Sequence, residues 1–148
     1  MSGGGRVLAL DLGEATIGLA LSDPLGITAQ PIEALRRIGP KKDLQRLAQL
    51  IEEREVATIV VGLPLLLSGE DGDAARGARE FAEKLGRRFP KIGIELFDER
   101  LTTVEAERTL IAADVRRSKR KKVIDTMAAV LILQGYLDSN DMKGMQSP

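Results

Sequence analysis

Arg6-Val7-Leu8-Ala9-Leu10-Asp11-Leu12-Gly13-Glu14-Ala15-Thr16-Ile17-Gly18-Leu19-Ala20-Leu21-Ser22 is the stretch that decides the fold. Residues 6–12 are nearly all apolar, the pattern of a strand buried on both faces. Gly13-Glu14-Ala15 makes a tight connection into a second strand, Thr16 to Ser22, so the two form an antiparallel hairpin. Asp11 ends the first strand. A charge buried there without a partner would cost several kcal/mol. It therefore needs a cation, a hydrogen-bond network or a function.

Reading outward, Asp23-Pro24-Leu25-Gly26 is a turn, and Ile27 to Gln30 is a short third strand ended by Pro31. Ala57 to Val61, rich in β-branched residues, is a fourth strand and Ile92 to Phe97 a fifth. Helical spacing of Leu44, Leu47, Ala48, Leu50 and Ile51 predicts a helix from about Lys41 to Arg54. A second runs from Asp73 to Phe89, with Ala74, Ala78, Phe81, Ala82 and Leu85 on one face. Thr102 with Glu105 is a capping box opening a third helix through Ala112, and a fourth spans about Ser118 to Leu137. The expected architecture is α/β: a five-stranded mixed sheet, built from an antiparallel three-strand meander plus parallel strands and flanked by helices. With 148 residues the chain suits one domain, here 6–138, between flexible segments at 1–5 and 139–148.

The chain has no Cys and no His. That excludes a disulfide, a thiolate zinc site, a cysteine nucleophile, a Ser-His-Asp triad and an imidazole base. A metal held by oxygen alone would be Mg2+ or Mn2+. Formal net charge is zero, yet Arg116, Arg117, Lys119, Arg120, Lys121 and Lys122 crowd into one short run. Such a patch is compatible with a phosphate backbone; the ordinary alternative is a solvated loop. No apolar run approaches membrane-spanning length and the N-terminus lacks signal-peptide shape, so a cytoplasmic protein with no membrane partner is expected.

Two further carboxylates share the awkward setting of Asp11. Glu99 follows the fifth strand, and Asp125 precedes a small apolar helix face, Ala128, Ala129 and Ile132. If the strands run parallel, Asp11 and Glu99 occupy the same carboxyl edge, where ligands collect in α/β sheets. Taken singly, each has an ordinary alternative: a turn Asp, a helix-capping Glu, an Asp paired with Lys121 or Lys122. Together, three close carboxylates invite a divalent cation able to activate water and hold a phosphate. The glycine-punctuated loop that follows the fourth strand, Val60 to Leu65 with Ser68 to Gly72, reads as a flexible wall of that site; the ordinary alternative is a plain connector. One Tyr, three Phe and no Trp leave little for base stacking, so recognition through backbone and shape is expected.

Four blocks in order carry a resemblance. They are Asp11-Leu12-Gly13 leading to Ile17-Gly18-Leu19-Ala20 and Ser22-Asp23; Val61-Gly62-Leu63-Pro64-Leu65; Phe97-Asp98-Glu99-Arg100-Leu101-Thr102-Thr103; and Lys122, Asp125, Ala128-Ala129 and Ile132 to Leu137. The chain resembles the YqgF family from Arg6 to Asp138. These are bacterial RNase H-like proteins, similar to Holliday-junction resolvases and described as candidate nucleases of precursor 16S ribosomal RNA. The resemblance implies an RNase H-like fold, with Asp11, Glu99 and Asp125 as catalytic, metal-binding acids. It further implies maturation of the 5′ end of 16S ribosomal RNA during ribosome assembly. Arg100 and the basic run from Arg116 to Lys122 are the expected nucleic-acid contacts. The chain departs from the family at Glu14-Ala15-Thr16, where a basic residue is common, and at Leu66, where a polar one is. The first departure predicts a weakened phosphate contact near Asp11. Alternatives are a resolvase of branched DNA, which would need a symmetric dimer, and a scaffold that binds nucleic acid without cutting it. An actin-like ATPase is discounted because the chain offers one lobe. The sequence is compatible with monomer or homodimer.

Overall fold

The computed structural model describes residues 5–101 and 127–140. The expected helix at Thr102 to Ala112, the run Arg116 to Lys122 and Asp125 lie outside the described residues. Five strands form one sheet in the order β3-β2-β1-β4-β5. β1 (Arg6–Leu12) pairs antiparallel with β2 (Thr16–Ser22), and β2 antiparallel with β3 (Ala29–Arg36). β4 (Val56–Leu63) and β5 (Gly93–Asp98) continue parallel to β1. The meander and the parallel extension are both as the sequence implied.

Helices cover the sheet on both faces. α1 (Pro40–Glu53) and α2 (Asp73–Arg88) pack on one face, where Leu8, Leu10, Ile17, Leu19, Ile59 and Val61 meet Leu47, Ile51, Phe81 and Leu85. A third helix, α3 (residues 127–140), lies on the other. There Ala9, Ala20, Val60 and Phe97 meet Ala128, Ala129, Ile132, Leu133 and Tyr136. The two faces differ in bulk because β1 and β2 alternate large with small side chains. Leu8 and Leu10 point to α1 and α2; Ala9 and Ala20 point to α3 and let it approach closely.

β3 departs from expectation. It runs from Ala29 to Arg36, straight through Pro31, where the sequence reading ended it. β3 is an edge strand. Half of its backbone N–H groups face away from the sheet, so a proline costs no ladder bond there. A register shift between Ile17 and Leu19 adds one residue to β3 and keeps Ile32 and Leu35 on the α1 face. α3 continues through residue 140, past Asp138, and is tied to the meander by Gln134. That side chain accepts from the Ala29 N–H (3.2 Å) and donates to the Ile27 carbonyl (3.2 Å). Among the described residues no helix is long and apolar enough to cross a membrane.

Candidate active site

Asp11 is the last but one residue of β1, on the face that Ala9 presents to α3. It is 5% exposed. Its cross-strand partner on β2 is Gly18, and the parallel register Leu10↔Val61 sets Gly62 of β4 level with it on the other side. Asp11 is thus flanked by a glycine on each neighbouring strand.

Glu99 arrives from the far side of Gly62. β5 pairs Phe97 with Gly62 and Asp98 with Leu63, and the chain then enters a 3-10 turn, Glu99–Leu101. Glu99 is 6% exposed. A Cβ built on Gly62 would stand 3.0 Å from Glu99 Oε2 and 2.6 Å from Ile132 Cδ1. Gly62 is therefore the floor over which Glu99, α3 and the end of β1 converge. Its signal in the sequence was a glycine interrupting the β-branched run Thr58-Ile59-Val60-Val61, but the reading placed it in a loop rather than inside β4.

Asp11 and Glu99 thus share one sheet edge and one sheet face, as expected of a site at the carboxyl ends of parallel strands. Among the described residues no three acidic groups gather as a metal site; the third expected acid, Asp125, lies outside them. The donors present, the buried carboxylates of Asp11 and Glu99, are all oxygen. That fits a hard divalent cation such as Mg2+ or Mn2+.

Arg100 is committed largely to protein groups. Its Nε and Nη2 donate to the Asp98 carboxylate at 2.8–3.1 Å, and Nη1 reaches the Leu67 carbonyl at 3.4 Å. This fork depresses the Asp98 carboxyl below the usual carboxylate range, the Arg100 side chain being the main cause. It also ties down the loop expected to be a flexible wall. Within that loop the Leu66 N–H bonds the Glu70 carbonyl, the Gly69 N–H bonds the Leu66 carbonyl, and Gly69 sits at φ +90° beside the Arg100 guanidinium. Only glycine adopts that conformation without strain. Arg100→Ala should return Asp98 to ordinary titration by NMR and speed hydrogen exchange at Leu66 and Gly69. Global stability should change little, because the ion pair is partly exposed.

The hairpin carrying Asp11 is braced from beneath by a group the sequence reading missed. Asp43 of α1 is 1% exposed and accepts from the Ile38 N–H at 3.0 Å. Arg37 and Arg46 flank it at 4.0 and 3.9 Å. Arg37 also donates to the Gly13 carbonyl at 2.8 Å, and its own N–H bonds the Ala15 carbonyl. A cavity of about 390 Å³ between α1 and the start of β5, lined by Ala48, Ile51 and Phe89 among others, opens at the opposite sheet edge and plays no part in this site.

Residues 5–139 match the family described as "RuvX: Holliday junction resolvase". The chain belongs to the RuvX family. This is the family that the four sequence blocks resembled under the name YqgF. Among relatives, a protein of Desulforamulus reducens named as a candidate pre-16S rRNA nuclease is 53% identical over 90% of this chain and 97% of its own. One of the same name from Halalkalibacterium halodurans is 51% identical over 93% and 99%. Among solved structures, this RuvX-family chain superposes on Thermus thermophilus RuvC in complex with a Holliday junction substrate. The TM-score is 0.57 at 11% identity, over 92% of this chain and 96% of that one. At such identity the likeness concerns the fold alone, which is RNase H-like.

Proposed function

We propose that the protein is a metal-dependent nuclease that hydrolyses phosphodiester bonds, acting at the 5′ end of precursor 16S ribosomal RNA in ribosome assembly. The observation that carries this reading is the buried pair Asp11 and Glu99 converging over Gly62. Asp11, Glu99 and Asp125 would hold Mg2+ or Mn2+, which when bound supplies an activated water and neutralises charge on the phosphate. The chain's own contribution is positional. β1 and the 3-10 turn fix the carboxylates, α3 excludes water behind them, and the Arg100 fork holds the loop wall beside them. Arg100's remaining exposed surface and the run Arg116 to Lys122 would meet the backbone of the RNA, on a cytoplasmic pre-ribosome. The names of relatives about half identical to this chain support the choice of RNA.

The family description and the RuvC-like fold favour a second reading, resolution of four-way DNA junctions by the same chemistry. Parallel cleavage assays on a precursor 16S RNA and a four-way DNA junction, with Mg2+ or Mn2+ and with chelator, separate the two. Metal-dependent cutting confined to the RNA is expected. Two symmetric cuts in the junction by a dimer, with the RNA untouched, would favour the resolvase. Salt-sensitive binding of the RNA with no cutting in any metal would mark a scaffold.

A further inference from the structure

Three arginines bracket the β3–α1 corner, and two of them are used up by the fold. Arg37 and Arg46 both flank the buried Asp43. Arg36 is exposed and, among the described residues, has no carboxylate partner. Its backbone is nonetheless held firmly. The Arg36 carbonyl accepts from Arg46 Nη1 at 2.6 Å, and Arg36 pairs across the ladder with Thr16.

The register fixes where that uncommitted charge stands. β3 is antiparallel to β2 and β2 to β1, so β3 ends at the sheet edge where Asp11 lies. Along β2, Ala20 packs against α3, Gly18 faces Asp11, and Thr16 continues the same alternation. Arg36, opposite Thr16, therefore shares the sheet face of Asp11 and Glu99. Two strand spacings across and two residues along the strands separate Arg36 from Asp11, about 12 Å in all. A long arginine side chain at that distance can meet a phosphate neighbouring the one held at the carboxylates. The exposed Glu14 in the intervening hairpin disfavours a phosphate at the hairpin itself.

We propose that Arg36 is a contact for the sugar-phosphate backbone of the bound nucleic acid, on the β3 side of the catalytic face. This rests on reading the chain as a nuclease. The contact is independent of sequence, made by a guanidinium whose planar fork matches a phosphate.

The test is a binding titration of a fluorescent precursor 16S RNA fragment and a four-way DNA junction, from 50 to 200 mM salt, in an Asp11→Asn background. Arg36→Ala should weaken binding about tenfold at 50 mM and lower the salt slope by about one. The deficit then shrinks about threefold by 200 mM. Arg36→Lys should retain most of the affinity. Arg54→Ala, exposed just before β4 at the opposite edge, should change nothing, and thermal melting should be the same for all. Unchanged affinity and slope in Arg36→Ala, beside normal wild-type binding and cleavage, overturns the contact alone. A salt-independent loss accompanied by a lowered melting point also overturns it, marking a structural role. Wild-type protein that binds neither probe overturns both the contact and the nuclease reading.

Discussion

Asp11→Asn abolishes cleavage and leaves the fold standing. The substitution preserves shape and hydrogen-bonding capacity but removes the charge that a divalent cation needs from its ligand. A loss on the order of a thousandfold or more in rate is expected, comparable with deleting a principal electrostatic group in other hydrolytic sites. Asp11 is nearly fully buried at a strand end. With Mg2+ or Mn2+, wild type should gain stability and the variant little or none. Single-turnover cleavage and paired melting curves check both halves. Full activity in the variant would contradict the proposed role of Asp11.

Gly62→Ala should cost on the order of tenfold in activity with only a modest loss of stability. The new Cβ falls 2.6 Å from Ile132 Cδ1 and 3.0 Å from Glu99 Oε2, so both must move. Ile132 is fully buried. Its displacement is an overpacking cost of about 1–3 kcal/mol, partly offset by the lower chain entropy of alanine when unfolded. The melting point should fall by about 2–6 °C. Activity suffers more because the Glu99 carboxylate must give by a few tenths of an ångström, and rate falls steeply with the misplacement of a catalytic group. Circular dichroism melts beside cleavage rates measure the split. Equal activity in Gly62→Ala would mean that Glu99 does not need its place over β4.

The meander, the parallel extension and the core helices were legible because each rests on a strong local signal. Leu8 and Leu10 alternate with Ala9, the β-branched residues cluster at 58–61, and Leu44 to Ile51 keep helical spacing. β3 was cut short because a proline reads as a breaker unless the strand is known to be an edge, and edge position is a property of the whole sheet. Asp43 was missed for a related reason. Its burial depends on the β3–α1 connection folding back over it, with the Ile38 N–H and Arg37 closing on a carboxylate that Arg46 of the same helix already flanks. Asp11 and Glu99 could be paired from sequence because strand polarity alone brings them to one edge. Gly62, which decides how closely they approach, gained its meaning only from the register of β1, β4 and β5. Arg100 looked like a free cation until the 3-10 turn folded it back onto Asp98.

A crystal soaked in Mn2+ and measured at the manganese absorption edge should show anomalous density between the buried carboxylates of Asp11 and Glu99, with Asp125 joining as a third ligand. If this position stays empty at saturating Mn2+, or the two carboxylates turn away from each other, they do not hold a divalent cation.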